Sequence, residues 1–207
     1  MAIDLVEQLL FQFKHRPNKD RPFIVGIDGL GGAGKTTLAK TIERELNNNH
    51  SKEVTTFHLD DHIVERNKRY QTGNEEWYEY YYLQWDIENL ENNFLKRLHN
   101  NEENIILLFY DQYTDSTSPQ QIQLTPNSIV LIEGIFLQRK EWKRFFDLTI
   151  YLDSPRELRH KRVLNRDSYL GDYEARLNKY KRRYWLAEKY YLDKVQPIRN
   201  AALVLET

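Results

Sequence analysis

The chain has no cysteine, a single methionine, and no apolar run of 18 residues among its 207. The first absence excludes disulfides and thiolate metal sites, and it fits a reducing compartment. The lack of a long apolar run excludes a transmembrane helix. An excess of charge of one sign is also missing. Thirty Lys and Arg stand against 31 Asp and Glu, for a net charge of −1. No global field therefore recruits nucleic acid or a membrane surface. The N-terminal MAIDLVEQLL is acidic and has no signal-peptide layout. The expectation is a soluble, cytoplasmic protein with no nucleic-acid or membrane partner. No internal repeat or low-complexity linker is visible, and the length suits one α/β domain over 1–207 with a sizeable core.

One stretch does carry specific chemistry. Residues 23–37 read FIVGIDGLGGAGKTT. Gly29-Leu30-Gly31-Gly32-Ala33-Gly34-Lys35-Thr36, continued by Thr37, is a full G-x-x-x-x-G-K-[ST] match. The apolar run Phe23, Ile24, Val25 and Ile27 before it suits a buried parallel strand. The segment after it, Lys35 to Glu45, has no Pro or Gly and favours helix. Glycines let the backbone approach a phosphate, and successive N–H groups at a helix N-terminus form an anion nest. Lys35 brings an ammonium to β- and γ-phosphate oxygens, and the Thr36 hydroxyl suits Mg²⁺. The bland alternative is a glycine turn without a ligand.

Around this centre the chain alternates. Ile3, Val6, Leu10 and Phe13 predict an amphipathic helix over 3–14. Strands are expected at 54–59, 104–110, 128–133, 148–152 and 201–205. Helices are expected after the glycine loop to about 47–49, over 75–99, from a Ser154 cap with Pro155 at the first position to 166, and over 174–194. Asp111 to Asn127, polar with two prolines, reads as loop. Such alternation predicts a parallel sheet with helices on both faces and ligands outside the carboxyl ends of the strands. The glycine loop, Asp60-Asp61 and Glu133-Gly134 all fall there.

A carboxylate at such a position, Asp60 or Asp61, can take a proton from an attacking hydroxyl or hold water on Mg²⁺; two turn aspartates capping a helix are the plain reading. Glu133 closes the apolar strand Ile129-Val130-Leu131-Ile132, where a second metal-contacting acid is expected. Gly134 beside it leaves room for the neighbouring loop. Arg159, Arg162 and Arg166 lie at i, i+3 and i+7, within about 60° on a helix. Three guanidiniums on one face suit a phosphate chain or a solvated basic stripe. Residues 167–172 after them have the composition of a lid. Trp77, Tyr81 and Trp85 share a helical face and read either as core or as a wall for a planar base. Asp86 is placed to meet sugar hydroxyls, and Tyr110-Asp111 ends a strand at the cleft. His58 and His62 have no Cys or spaced His partner and read as packing or solvent histidines. The tyrosine-rich segment Tyr180 to Tyr191 reads as core or as a homo-oligomer interface.

In this order, GIDGLGGAGKTTLA, FHLDDHI, YD, LIEGIF, Tyr151-Leu152-Asp153, R-x-x-R-x-x-x-R-D and a closing ALVL, the motifs resemble the uridine kinase-like family of phosphate-loop kinases. The resemblance runs from Ile24 to the end. It implies a three-layer α/β P-loop NTPase fold with a central five-stranded, mostly parallel sheet and a short helical lid at about 167–174. It also implies ATP and Mg²⁺, and a small-molecule acceptor resembling a nucleoside or riboside. Asp60 would be the general base, with Lys35, Arg162 and Arg166 sharing the chemistry. ATP would contact residues 29–37 and Arg159. Thr36, Glu133 and Asp61 would serve Mg²⁺, and Asp60, Asp86, Tyr110 and Asp111 the acceptor. Uridine kinases usually carry a histidine five residues after the tyrosine of Y-D; here that residue is Asp115, so phosphoryl transfer carries over and pyrimidine specificity does not. A non-nucleoside acceptor such as pantothenate or a sugar phosphate is the alternative within the family. A nucleotide-hydrolysing switch or assembly factor is the alternative outside it.

Overall fold

The computed structural model describes residues 2–102 and 104–207, with the side chains of 2 and 3 left out. Ile3, one of the apolar positions used above, therefore lies outside the described side chains. Among the described residues the strands in chain order are β1 (Phe23–Gly29), β2 (Val54–His58), β3 (Asn104–Asp111), β4 (Ser116–Gln123), β5 (Ile129–Gly134), β6 (Leu148–Asp153) and β7 (Leu203–Glu206). Five of them build the central sheet in the order β2-β5-β1-β6-β7, and every pairing is parallel. β1 and β5 are buried along their whole length, as the apolar runs require when both sheet faces are covered.

Alternation along these strands divides the core in two. Ile24, Phe57, Val130 and Ile132 face one side, where they meet Trp85, Phe94, Phe136 and Trp142. Val25, Ile27, Leu131 and Ile150 face the other, against α1 (Ala2–His15) and α2 (Lys35–His50). On α1 the deepest position is Leu9, while Leu10 is only partly buried. Helix, sheet and helix make the three layers expected of this pattern.

The structure departs from the sequence reading in three places. β3 is absent from the central sheet; it pairs antiparallel with β4, inside the stretch read as loop. Only alternate residues of β3 are buried. Ile105 and Leu107 are inside, whereas Ile106 is 58% and Leu108 43% exposed. A continuous apolar run reads as a two-sided buried strand, and β4 reads STSPQQIQ, with too little apolar period to reveal its partner. Pro119 is tolerated because β4 lies in a two-stranded sheet with a free edge.

The helix expected over 75–99 is interrupted. Trp85 leaves it to bridge Ile63, and Asp86 restarts it by accepting from the Asn89 N–H at 3.0 Å. Ser154 does not cap the arginine helix. That helix runs Arg156–Arg166, Pro155 holds the cap position, and the Ser154 hydroxyl is buried without a hydrogen-bond partner. The last helical stretch matches the expected 174–194, running from Tyr173 through a wide turn at Tyr180–Tyr184 to Val195. Among the described residues no helix is long and apolar enough to cross a membrane.

Candidate active site

Strand register brings the motifs together. His58 on β2 lies beside Glu133 on β5, and Asp28 on β1 beside Gly134. The segments that follow β1, β2 and β5 therefore meet at one carboxyl edge of the sheet, as ligand sites in such sheets do.

The glycine loop turns directly into α2. Gly34 holds φ 101°, a left-handed conformation that side chains resist, and accepts from the Leu38 N–H at 3.0 Å. Lys35 folds over the loop and donates to the Leu30 carbonyl at 3.2 Å. Thr36, one residue into the helix, donates its hydroxyl to Glu133 Oε1 at 2.8 Å. The same oxygen meets His58 Nδ1 at 2.7 Å. Glu133 is nearly buried. Thr36 and Glu133, expected to serve one metal, are thus in contact. His58, read as a bystander, joins them. His62 packs among Phe57, Phe94 and Phe109, and burial lowers its pKa.

Asp60 and Asp61 stand in a tight turn, Leu59–His62, that continues β2. Leu59 is fixed there by the Trp85 indole N–H, which donates to its carbonyl at 2.9 Å. The Asp60 carboxylate is open to solvent, yet the surrounding walls crowd it. That crowding raises its pKa; Lys35 opposes the rise, Glu133 adds to it, Arg166 opposes and Asp61 adds. A carboxylate lifted in this way, beside two cations, suits a proton acceptor.

The arginines divide. Arg166 pairs with Asp167 at 2.6 Å, which raises its pKa further, and stays within electrostatic reach of Asp60. Arg162 is exposed and donates to the Gly32 carbonyl at 3.1 Å. Arg159 is buried, donating to Glu188 at 3.1 Å and to the Gly31 carbonyl at 3.3 Å. The segment after Arg166 is anchored at its start, because the Tyr180 hydroxyl also donates to Asp167.

The remaining expected acceptor residues are engaged elsewhere. Asp86 caps its helix. The Tyr110 hydroxyl donates to Asp115 at 2.9 Å and receives Arg69, and Asp111 accepts from the Tyr113 N–H on the β3–β4 turn. Of the aromatic face, Tyr81 and Trp85 are core residues, and Trp77 packs on Tyr190. Tyr80, between them, lies near enough to Asp60 for that charge to raise its pKa, although burial is the larger cause.

Sequence reasoning missed two carboxylates at the loop. Asp28 is fully buried. It accepts from Gly29 N–H at 2.8 Å, from the Tyr191 hydroxyl at 2.5 Å and from the Gln138 amide at 3.0 Å. Its signal was present, as the one charged residue in an otherwise apolar strand. Burial raises its pKa, and these hydrogen bonds oppose the rise. Glu188 accepts from the Gly31 N–H at 2.8 Å, and nothing in its helix distinguished it.

Comparison with known proteins follows the same lines. The model of the phosphoribulokinase / uridine kinase family matches residues 24–194. A uridine kinase of Borrelia duttonii (strain Ly) is 31% identical over 149 residues, which is 70% of this chain and 66% of that protein, just under two thirds of its length. The structure of a possible uridine kinase from Bacillus stearothermophilus superposes with a TM-score of 0.77 at 40% identity, covering 99% of this chain and 100% of that one. A putative fructose transport system kinase from Silicibacter sp. TM1040 superposes with a TM-score of 0.75 over 98% of this chain and 96% of its own. At 18% identity it shows the fold alone.

Proposed function

The chain belongs to the phosphoribulokinase / uridine kinase family, and from that premise we propose that it transfers the γ-phosphoryl group of ATP to a hydroxyl of a small molecule. A nucleoside or related riboside is the first acceptor class, because the relatives it resembles are named uridine kinases. The observation that carries the transfer is the place of Asp60: an exposed carboxylate in the turn that continues β2 at the carboxyl edge of the sheet, with Lys35, Arg166 and Glu133 in electrostatic reach. One kinase domain over 1–207, with 167–174 as its lid, is part of this proposal.

In the step proposed, the acceptor oxygen attacks the γ-phosphorus as the bond to the β–γ bridging oxygen breaks. The proton of the acceptor hydroxyl passes to Asp60, and ADP leaves. Lys35 and the loop amides hold the phosphates. Arg162 and Arg166 take up charge as the phosphoryl group moves. The donor set of Thr36 Oγ1 and Glu133 Oε1 is all oxygen, which fits Mg²⁺, an ion that takes one or two protein groups and completes its shell with phosphate and water. When bound, Mg²⁺ would neutralise charge on the β- and γ-oxygens. Asp61, exposed beside Asp60, would hold one of its waters.

A second reading, a polar acceptor without a base, has its own support. A cavity of about 530 Å³ is lined by Arg66, Asn67, Tyr70, Gln71 and Asn74 among others. Its aromatic member offers little stacking surface: Arg183, Arg69 and Lys179 lie 4.1, 4.8 and 4.9 Å from the Tyr70 ring centroid. Tyr169 is in electrostatic reach of both Tyr70, which lines the cavity, and Asp60.

The test is ADP release from Mg·ATP against nucleosides, ribosides, pantothenate, sugars and sugar phosphates, with Asp60→Asn as control. One compound should raise turnover many-fold, and the variant should lose about 10²- to 10⁴-fold while still binding ATP. Near-wild-type turnover by Asp60→Asn removes it as the base. Slow hydrolysis that no compound stimulates favours a nucleotide switch.

A further inference from the structure

Glu188 comes from the C-terminal helix, 157 residues away in sequence from the glycine loop that it touches. Its side chain is nearly buried and both oxygens are used. Oε1 accepts from the Gly31 N–H at 2.8 Å, and Oε2 accepts from Arg159 at 3.1 Å. The same Arg159 nitrogen reaches the Gly31 carbonyl at 3.3 Å, while its Nε donates to the Ser154 carbonyl at 3.1 Å. Both polar groups of the Gly31 backbone are therefore held by one buried ion pair. The next residue is held as well. A Cβ on Gly32 would meet the Arg159 carbonyl at 2.7 Å, so the arginine helix packs directly on the loop backbone.

We propose that Glu188 and Arg159 are a positioning pair that fixes the front half of the glycine loop, and that Arg159 makes no contact with phosphate. The inference rests on the glycine loop holding the nucleotide. Three physical arguments support it. First, moving Arg159 to a phosphate would strand Glu188 as a buried, uncompensated carboxylate, an expensive state. Second, an unpaired glutamate at a loop amide would repel the incoming phosphates. With Arg159 bound to it and Lys35 in reach, its charge is neutralised before the nucleotide arrives. Third, a backbone fixed before binding loses no conformational freedom at that moment. Direct contact with phosphate then falls to Lys35, the loop amides, Arg162 and Arg166. This departs from the sequence reading, in which all three arginines faced the phosphates.

The test is calorimetric binding of Mg·ATP and Mg·ADP to the wild type, Glu188→Gln, Arg159→Gln and the double variant, each well below its melting temperature. Glu188→Gln keeps an acceptor for Gly31 and removes the ion pair. Glu188→Gln should weaken both nucleotides alike, by about tenfold, the weight of a charge-assisted hydrogen bond, and Arg159→Gln, which leaves Glu188 unpaired, should weaken them at least as much. The double variant should be no weaker than the weaker single, because the pair acts as one unit. A purely structural role would lower the melting temperature and leave both affinities unchanged; that result overturns the proposal. It is also overturned if the double variant, which leaves no unpaired glutamate, weakens ATP much more than ADP, as loss of a γ-phosphate ligand would, or if the single effects add. Should Arg159→Gln fail to fold, Arg159→Lys serves, since it keeps the charge and loses the fork. A wild-type protein that binds neither nucleotide refutes the kinase reading itself, a result distinct from selective or additive losses.

Discussion

Gly134→Ala is the sharpest test of how Asp60 is held. Gly134 ends β5, buried beside the turn that carries Asp60, the proposed base. A Cβ built there would stand 2.5 Å from Leu59 Cβ and 2.9 Å from Leu59 Cδ2. Carbon atoms rest at about 3.5 to 4.0 Å, so the two elements must part by about 1 Å or more. Leu59 cannot swing aside freely, because its carbonyl is pinned by Trp85. The displacement passes to the next residue, Asp60. A shift of about 1 Å in a reacting group can lower the rate about 10²-fold, and overpacking of this kind destabilises by about 1 to 3 kcal/mol. For a chain of this size that is about 2 to 12 °C in Tm. The assay is kcat with the acceptor that the ADP-release panel selects, alongside Mg·ADP binding and thermal melting. The expected result is a kcat lowered about 100-fold with nucleotide affinity changed less than about threefold. Wild-type kcat would refute the claim that this contact sets the position of Asp60. Equal losses in affinity and kcat would show that the strain spreads into β1 instead.

Two further predictions concern the frame of the site. Arg183 is fully buried, paired with Glu79 at 3.0 Å and donating to the Arg69 carbonyl at 3.1 Å. Arg183→Met leaves Glu79 buried and unpaired, and should destabilise by about 3 to 5 kcal/mol, or about 6 to 20 °C in Tm. Adding Glu79→Gln should recover part of that loss; no recovery would mean that the pair is not the source. The second prediction is a pH dependence. His160 stacks on Trp185 with ring centroids 3.7 Å apart, and burial, helped by Arg159 and Arg156, pushes its pKa down from 6.5 to about 4. The unfolded chain therefore takes this proton first, so the stabilisation is complete above pH 6.5 and is lost as the pH falls toward 4. Melting curves of the wild type and His160→Phe should diverge across that window by about 2 to 4 °C, allowing for solvent screening. Parallel curves would refute the shift.

Much of this was written locally. A glycine loop between an apolar strand and a helix needs only neighbours in sequence. The fully buried strands β1 and β5 announce themselves as unbroken apolar runs. The alternation of such strands with helices placed Asp60 and Glu133 at the same sheet edge, where Thr36 does meet Glu133. Where the structure differed, the deciding partner was distant or ambiguous. The apolar run of β3 was compatible with two sheets, and the polar β4 gave no periodic signal to choose between them. The aromatic face at 77–85 fitted a core and a binding wall equally; the contacts of Tyr81 and Trp85 settled it as core.

The sequence by itself therefore determined the glycine-loop motif between strand and helix and the layering of the sheet, because both follow from residue type and spacing along a few turns of chain. Tertiary structure alone decided what each charge is for. Arg159 and Arg162 look alike on a helix three residues apart. Only the packing of the C-terminal helix buries Arg159 against Glu188 and leaves Arg162 exposed at the loop. A charge takes its role from the partners and the water around it, and those are set by contacts 29 residues away in the chain for Arg159 with Glu188 and 130 for Arg162 with Gly32.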